Sequence, residues 1–191
     1  MKRRVFIAVD LPEEVKKALV AFFNKVSSIK EVKWEKPEKL HLTLVFLGRV
    51  TEKQISQLVS ILSSIESNRQ SFTLSIIPSL SGFPTPSNPR VLWLPIEGDI
   101  IPLQKVADEL QKRLKDSNFN FDEREFHPHL TIGRFRSGIK KWQKQKMLKT
   151  IGYELPKRPI AFPVEGLTLF ESTLTPKGSV YTILYYANFG N

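Results

Sequence analysis

"EKLHLTLVFLGRV" occupies residues 38–50, and "FHPHLTIGRFRSG" occupies residues 126–138. The chain has three histidines in 191 residues, and two of them, His41 and His129, open the same tripeptide, His-Leu-Thr. On a β-strand, residues i and i+2 share a face. His41 and Thr43 therefore project together, with Leu42 and Leu44 opposite. His129 and Thr131 project together, with Leu130 and Ile132 opposite. The apolar partners bury against packed helices, and the polar pairs are left on the other face.

Outward from these strands, the same plan is written twice. Before the first comes a strand, "RVFIAVDL", and a helix over "LPEEVKKALVAFFNKVSSIK". In that helix Val15, Ala18, Leu19, Phe22, Phe23, Val26 and Ile29 follow a 3.6-residue period. After it comes a helix over "TEKQISQLVSILSSIES", with Thr51 and Gln54 as a capping box, and a strand, "SFTLSII". "PSLSGFPTPSNPR" (78–90) is rich in turn-forming residues and reads as the loop between halves. The second half then reads "RVLWLPIEG" as strand and "DIIPLQKVADELQKRLKDS" as helix, with Leu103, Val106, Ala107, Leu110 and Leu114 inward. "HPHLTIGRF" is a strand, "IKKWQKQKMLKTI" a short basic helix, and "IAFPVEGLTLFES" and "GSVYTILYYANF" are the closing strands. This pattern predicts one α+β domain over 1–191, with a repeat at roughly 1–80 and 88–191.

Composition narrows the function. Hydrophobic residues are 41% and charged residues 25%, ordinary for a folded domain. No apolar run approaches a membrane span, and the apolar stretch after "MKRR" is too short for an export signal, so a cytoplasmic location is expected. With no cysteine there is no disulfide, thiolate nucleophile or cysteine-bound metal. The net charge of +10 favours a polyanionic partner, nucleic acid before membrane.

If the two halves face one cleft, it holds two imidazoles and two hydroxyls. Histidine titrates near neutrality, so one ring can be neutral and the other protonated. The neutral ring takes a proton from a nucleophile and the charged ring returns one to a leaving oxygen. Thr43 and Thr131 can donate hydrogen bonds to the non-bridging oxygens of a phosphate held between them. Arg134 can neutralise phosphate charge, although regular alternation puts it on the face opposite Thr131 unless the strand bends. His127 has metal-ligand spacing to His129, but Pro128 interrupts the strand and the first half has no matching histidine, so His127 reads as structural. Trp34, Trp93, Phe46 and Phe83 are candidates for base stacking. The lysines of 140–149 are either a nucleic-acid contact or a solvated helix face.

The paired His-x-Thr motifs resemble those of the two-histidine phosphoesterase superfamily. With "RVFIAVDLP", "GFPTPSNPRVLWLPI" and "LFESTLTPKGSVYTIL", nearly the whole chain is similar to the RNA 2',3'-cyclic phosphodiesterases, also called the 2'-5' RNA ligase family. The resemblance implies a bilobal α+β fold with pseudo-symmetric antiparallel sheets around a central cleft and helices outside. It implies hydrolysis of RNA 2',3'-cyclic phosphate ends to 2'-phosphates without metal or cofactor, and a capacity for joining RNA ends. It assigns His41 as proton donor and His129 as proton acceptor. A monomer is expected. The alternatives are a non-catalytic module that grips RNA ends and a phosphoesterase acting on a small cyclic nucleotide.

Overall fold

The computed structural model describes residues 2–66, 69–123, 125–176 and 178–190. Its elements are β1 (Lys2–Asp10), α1 (Glu13–Val26), β2 (Val32–Trp34), a 3-10 turn (Pro37–Lys39), β3 (His41–Thr51), α2 (Glu52–Glu66), β4 (Phe72–Ile76) and β5 (Ser81–Phe83). They continue with β6 (Val91–Gly98), α3 (Ile100–Asp116), β7 (His129–Phe135), α4 (Lys141–Glu154), β8 (Ile160–Val164), β9 (Gly166–Thr175) and β10 (Gly178–Asn188).

The periodic stripes fold as their spacing dictates. Every inward residue expected of α3 is buried. In α1 the stripe of Val15, Leu19, Phe22, Phe23 and Val26 is buried, but Ala18 is exposed. Lys16 is buried in its place, with Nζ 3.0 Å from Asp10 and 3.1 Å from Glu13. The box opening α2 forms in both directions. Thr51 N–H donates to Gln54 Oε1 at 2.9 Å and Gln54 N–H donates to Thr51 Oγ1 at 3.3 Å.

The strands form two antiparallel sheets, ordered β10-β9-β1-β3 and β2-β7-β6-β4-β8, with β5 beside β6. The helices pack outside them in pairs, α1 against α4 and α2 against α3. One main core runs through the molecule, and it includes Leu42, Leu44, Leu130 and Ile132. No described helix is long and apolar enough to cross a membrane.

The sheets do not each follow one half of the chain. β4, from the first half, pairs with β6 and β8, while β9 and β10, from the second, complete the sheet of β1 and β3. "IAFPVEGLTLFES", read as one strand, is two strands in different sheets that part at Glu165. The next residue, Gly166, has no room for a side chain, because a Cβ there would lie 2.2 Å from the Ala187 carbonyl. Two short strands, β2 and β5, escaped the sequence reading; three residues are too few to display a period, and β5 lies inside the Pro/Gly/Ser-rich loop.

Candidate active site

β3 is the edge strand of the first sheet and β7 lies near the edge of the second, and the two strands touch. Their polar faces line one cleft of about 500 Å³, which contains His41, Thr43, His129 and Thr131. The four residues singled out by the repeated tripeptide are thus brought together across the two sheets.

Arg134 lines the same cleft, and the strand does bend. β6 pairs Leu92 with Gly133 but Trp93 with Thr131, so Ile132 is an extra residue in β7. This bulge resets the alternation and returns Arg134 to the face of Thr131. β3 carries the same irregularity at the same place: β1 pairs Ile7 with Val45 and Ala8 with Thr43, leaving Leu44 extra. The residue it brings to the cleft is Phe46. The two strands therefore present His-Thr-Phe and His-Thr-Arg, and the bulges are what carry the third residue of each set into the site.

Each imidazole is held in the same way. His41 Nδ1 lies 2.7 Å from the Lys39 carbonyl, and His129 Nδ1 lies 2.6 Å from the His127 carbonyl. A carbonyl only accepts, so Nδ1 carries a proton in both rings. Nε2 is then the reactive nitrogen: an acceptor in the neutral ring, a donor in the charged one. The turn Pro37–Lys39 delivers one carbonyl and the His127-Pro128 step delivers the other. His127 thus contributes its main chain to orienting His129, while its side chain is exposed, with Nε2 3.7 Å from Glu125.

Aromatic rings fix the imidazole planes. His41 packs on Phe6 (ring centroids 4.8 Å apart) and meets Tyr181 edge-on (5.3 Å). Phe6 stacks on Phe170 in a small second core on the cleft side of the first sheet. His129 meets Phe83 edge-on at 5.1 Å and Trp93 at 5.7 Å, and those two rings stack on each other. Trp93 and Phe83 are therefore committed to supporting His129. Trp34 lines the cleft, but its Nε1 donates to the Ile29 carbonyl and its ring stands against Phe22 and Phe23.

Burial depresses both imidazoles below their ordinary 6.5, so both favour the neutral form. Around them the fixed charges differ. The Asp10 carboxylate, which lies opposite His41 in the β1–β3 ladder, favours protonated His41, with Lys16 opposing it. The Arg134 guanidinium favours neutral His129.

The sequence reading missed Arg4, Phe6, Lys33, Lys36 and Tyr181, all of which line the cleft. One signal was available. In "VFIAV" both faces of β1 are apolar, which means that both are covered. None of the lysines of 140–149 lines the cleft, and Lys144 is buried, donating to the Pro89 carbonyl at 2.8 Å. No group of three or more histidine, aspartate or glutamate side chains among the described residues is arranged to hold a metal ion.

Comparison with known proteins agrees with this geometry. The LigT-like phosphoesterase profile matches residues 9–93 and again 95–181, so that each match contains one His-Leu-Thr. An RNA 2',3'-cyclic phosphodiesterase of Thermotoga maritima is 35% identical, with 97% of this chain and 95% of that protein covered. One from Archaeoglobus fulgidus is 31% identical, covering 93% and 96%. The crystal structure of a Thermus thermophilus protein superposes with a TM-score of 0.77 at 29% identity, covering 97% of both chains. With both halves of its cleft matched by one profile, the chain belongs to the LigT-like phosphoesterase family.

Proposed function

We propose that the protein hydrolyses the 2',3'-cyclic phosphate at an RNA end to a 2'-phosphate, using two histidines and no metal. The observation that carries this reading is the pair of imidazoles on one cleft, each with Nδ1 tied to a carbonyl and Nε2 left for proton transfer. The names of the relatives from Thermotoga and Archaeoglobus support the substrate.

The cyclic phosphate sits between the His-Thr pairs. Neutral His129 takes a proton from water through Nε2 as the water oxygen attacks phosphorus. The bond from phosphorus to the 3' oxygen breaks, and protonated His41 gives that oxygen its proton. The 2' ester remains. The hydroxyls of Thr43 and Thr131 donate to the non-bridging oxygens, and Arg134 offsets the charge that grows on them. Asp10 and Arg134 bias the two rings towards these roles. Because free His41 is depressed by burial, its proton is held most firmly once the anionic phosphate is bound beside it. An RNA 5'-hydroxyl in the place of water gives a 2'-5' joint by the same steps.

Incubation of an oligonucleotide 2',3'-cyclic phosphate with chelator-treated protein tests the reading. It predicts full turnover in EDTA and a 2'-phosphate as the sole product. Activity abolished by chelator and restored by a metal ion, or a 3'-phosphate product, contradicts it. Tight binding of the oligonucleotide without any product identifies a non-catalytic RNA-end module instead.

A further inference from the structure

Most of the basic excess of the chain lies outside the cleft. Residues 136–158 hold eight basic side chains and one acidic one, a net charge of +7 in a chain of +10. Seven of the eight are exposed. The acid, Glu154, is paired with Lys25 of α1 at 3.1 Å. The eighth basic residue, Lys144, is buried and anchors α4. Its Nζ donates to Asn88 Oδ1 at 3.1 Å and to the Pro89 carbonyl, and it stands 5.4 Å from the centre of the Phe135 ring. On the same side of the helix Ile151 enters the main core, with Met147 and Leu148 packed against it. These contacts fix α4 beside the end of β7, a strand that carries the chain about 20 Å from His129.

The other side of α4 is unusual. Trp142, Lys146, Lys149 and Tyr153 stand at i, i+4, i+7 and i+11 and therefore share one face. All four are exposed. Trp142 is 63% and Tyr153 78% exposed, more than any other aromatic side chain among the described residues. A single exposed ring is commonplace. Two rings in line, about 16 Å apart along the helix with two lysines between them, form a stripe of alternating flat and charged groups. Single-stranded nucleic acid offers the complement: phosphates for the lysines and base faces for the rings. A helix that lies on a membrane buries a broad apolar face, whereas the aliphatic residues of α4 all turn inward.

We infer that the outer face of α4 is a second RNA-binding surface, separate from the cleft, which holds the single-stranded body of an RNA whose end is at the histidines. The inference rests on the proposed RNA substrate and adds a surface that only a strand longer than a mononucleotide can reach. Binding there is tolerant of sequence, because every base has a π face.

The test measures the affinity of labelled oligouridylate without a cyclic end, by fluorescence anisotropy over a range of salt, for wild type and α4 variants. Trp142→Ala and Tyr153→Ala should each raise Kd about 5- to 150-fold. Trp142→Phe should keep most of the affinity. Lys146→Gln/Lys149→Gln should reduce the slope of log affinity against log salt by about 1.4. With cyclic phosphate substrates, the alanine variants should raise KM for the oligonucleotide at little cost in kcat and leave turnover of uridine 2',3'-cyclic phosphate unchanged. Oligouridylate affinity and slope equal to wild type in every variant overturn the inference, as does a wild type that does not bind oligouridylate. Binding of phosphatidylserine vesicles that is lost in the alanine variants, with RNA affinity intact, assigns the face to a membrane surface instead. Direct binding also separates this surface from the hydrolytic reading. If wild type turns over no cyclic substrate, the proposed reaction fails, yet loss of oligouridylate affinity in Trp142→Ala and Tyr153→Ala still supports the surface.

Discussion

His41 and His129 show how a main-chain contact decides side-chain chemistry. With Nδ1 committed to a carbonyl two residues back, each ring offers only Nε2 to the substrate. Removing either imidazole should cost about 10²- to 10⁴-fold in turnover, the usual contribution of a positioned acid or base. The pH dependence follows from the direction of both shifts. Burial lowers both rings from 6.5, so the free protein near neutrality holds both unprotonated. The active form carries one proton between them. As pH falls, kcat/KM should rise through the higher apparent value, and it should fall again once the second ring is charged. Both values lie below 6.5, so the maximum of the kcat/KM profile lies on the acid side of 6.5. A maximum above 6.5 rejects this electrostatic account. At this scale the sequence was most legible, because a strand with period two puts His and Thr on one face whatever the tertiary fold. The behaviour of Arg134 and Phe46 was not legible. A bulge depends on how β1 and β6 pair with their partners, and no local pattern in β3 or β7 states it.

Long helices and strands announced themselves, whereas the pieces that shape the cleft rim did not. β2 is only three residues long, yet it brings Lys33 and Trp34 to the cleft. Its position depends on Gly133 in β7. A Cβ there would lie 2.8 Å from Val32 Cγ1 and 3.1 Å from Trp34 Cε3. Valine is stiff at χ1 and cannot turn aside cheaply. Gly133→Ala should therefore push β2 outward and destabilise the protein by about 1–3 kcal/mol, measured by denaturant unfolding. A variant as stable as wild type would mean that β2 is loosely held. The division of "IAFPVEGLTLFES" between β8 and β9 was hidden for a different reason. Both parts have strand composition, and only the crowded corner at Gly166 separates them.

Across the whole molecule, the halves are interleaved: each sheet is completed by strands from the other half of the chain. Periodicity marks strands but not their partners, so the paired lobes were foreseen and the exchange of strands between them was not. The basic excess that the composition displayed is partly gathered at the cleft, where Lys33 and Lys36 are exposed. If they neutralise two phosphates of a bound strand, Lys33→Gln/Lys36→Gln should reduce the slope of log affinity against log salt by about 1.4. Turnover of a mononucleotide should hardly change. Identical slopes would place the RNA elsewhere. The central claim is that one sheet contributes the acid and the other the base to a single phosphate. The most direct test is turnover by His41→Ala and His129→Ala on a cyclic substrate whose 3' bridging oxygen is replaced by sulfur. A thiolate leaves without a proton, so His41→Ala should recover most of its lost rate while His129→Ala remains inactive. Equal failure of both variants, or rescue of His129→Ala alone, contradicts the account.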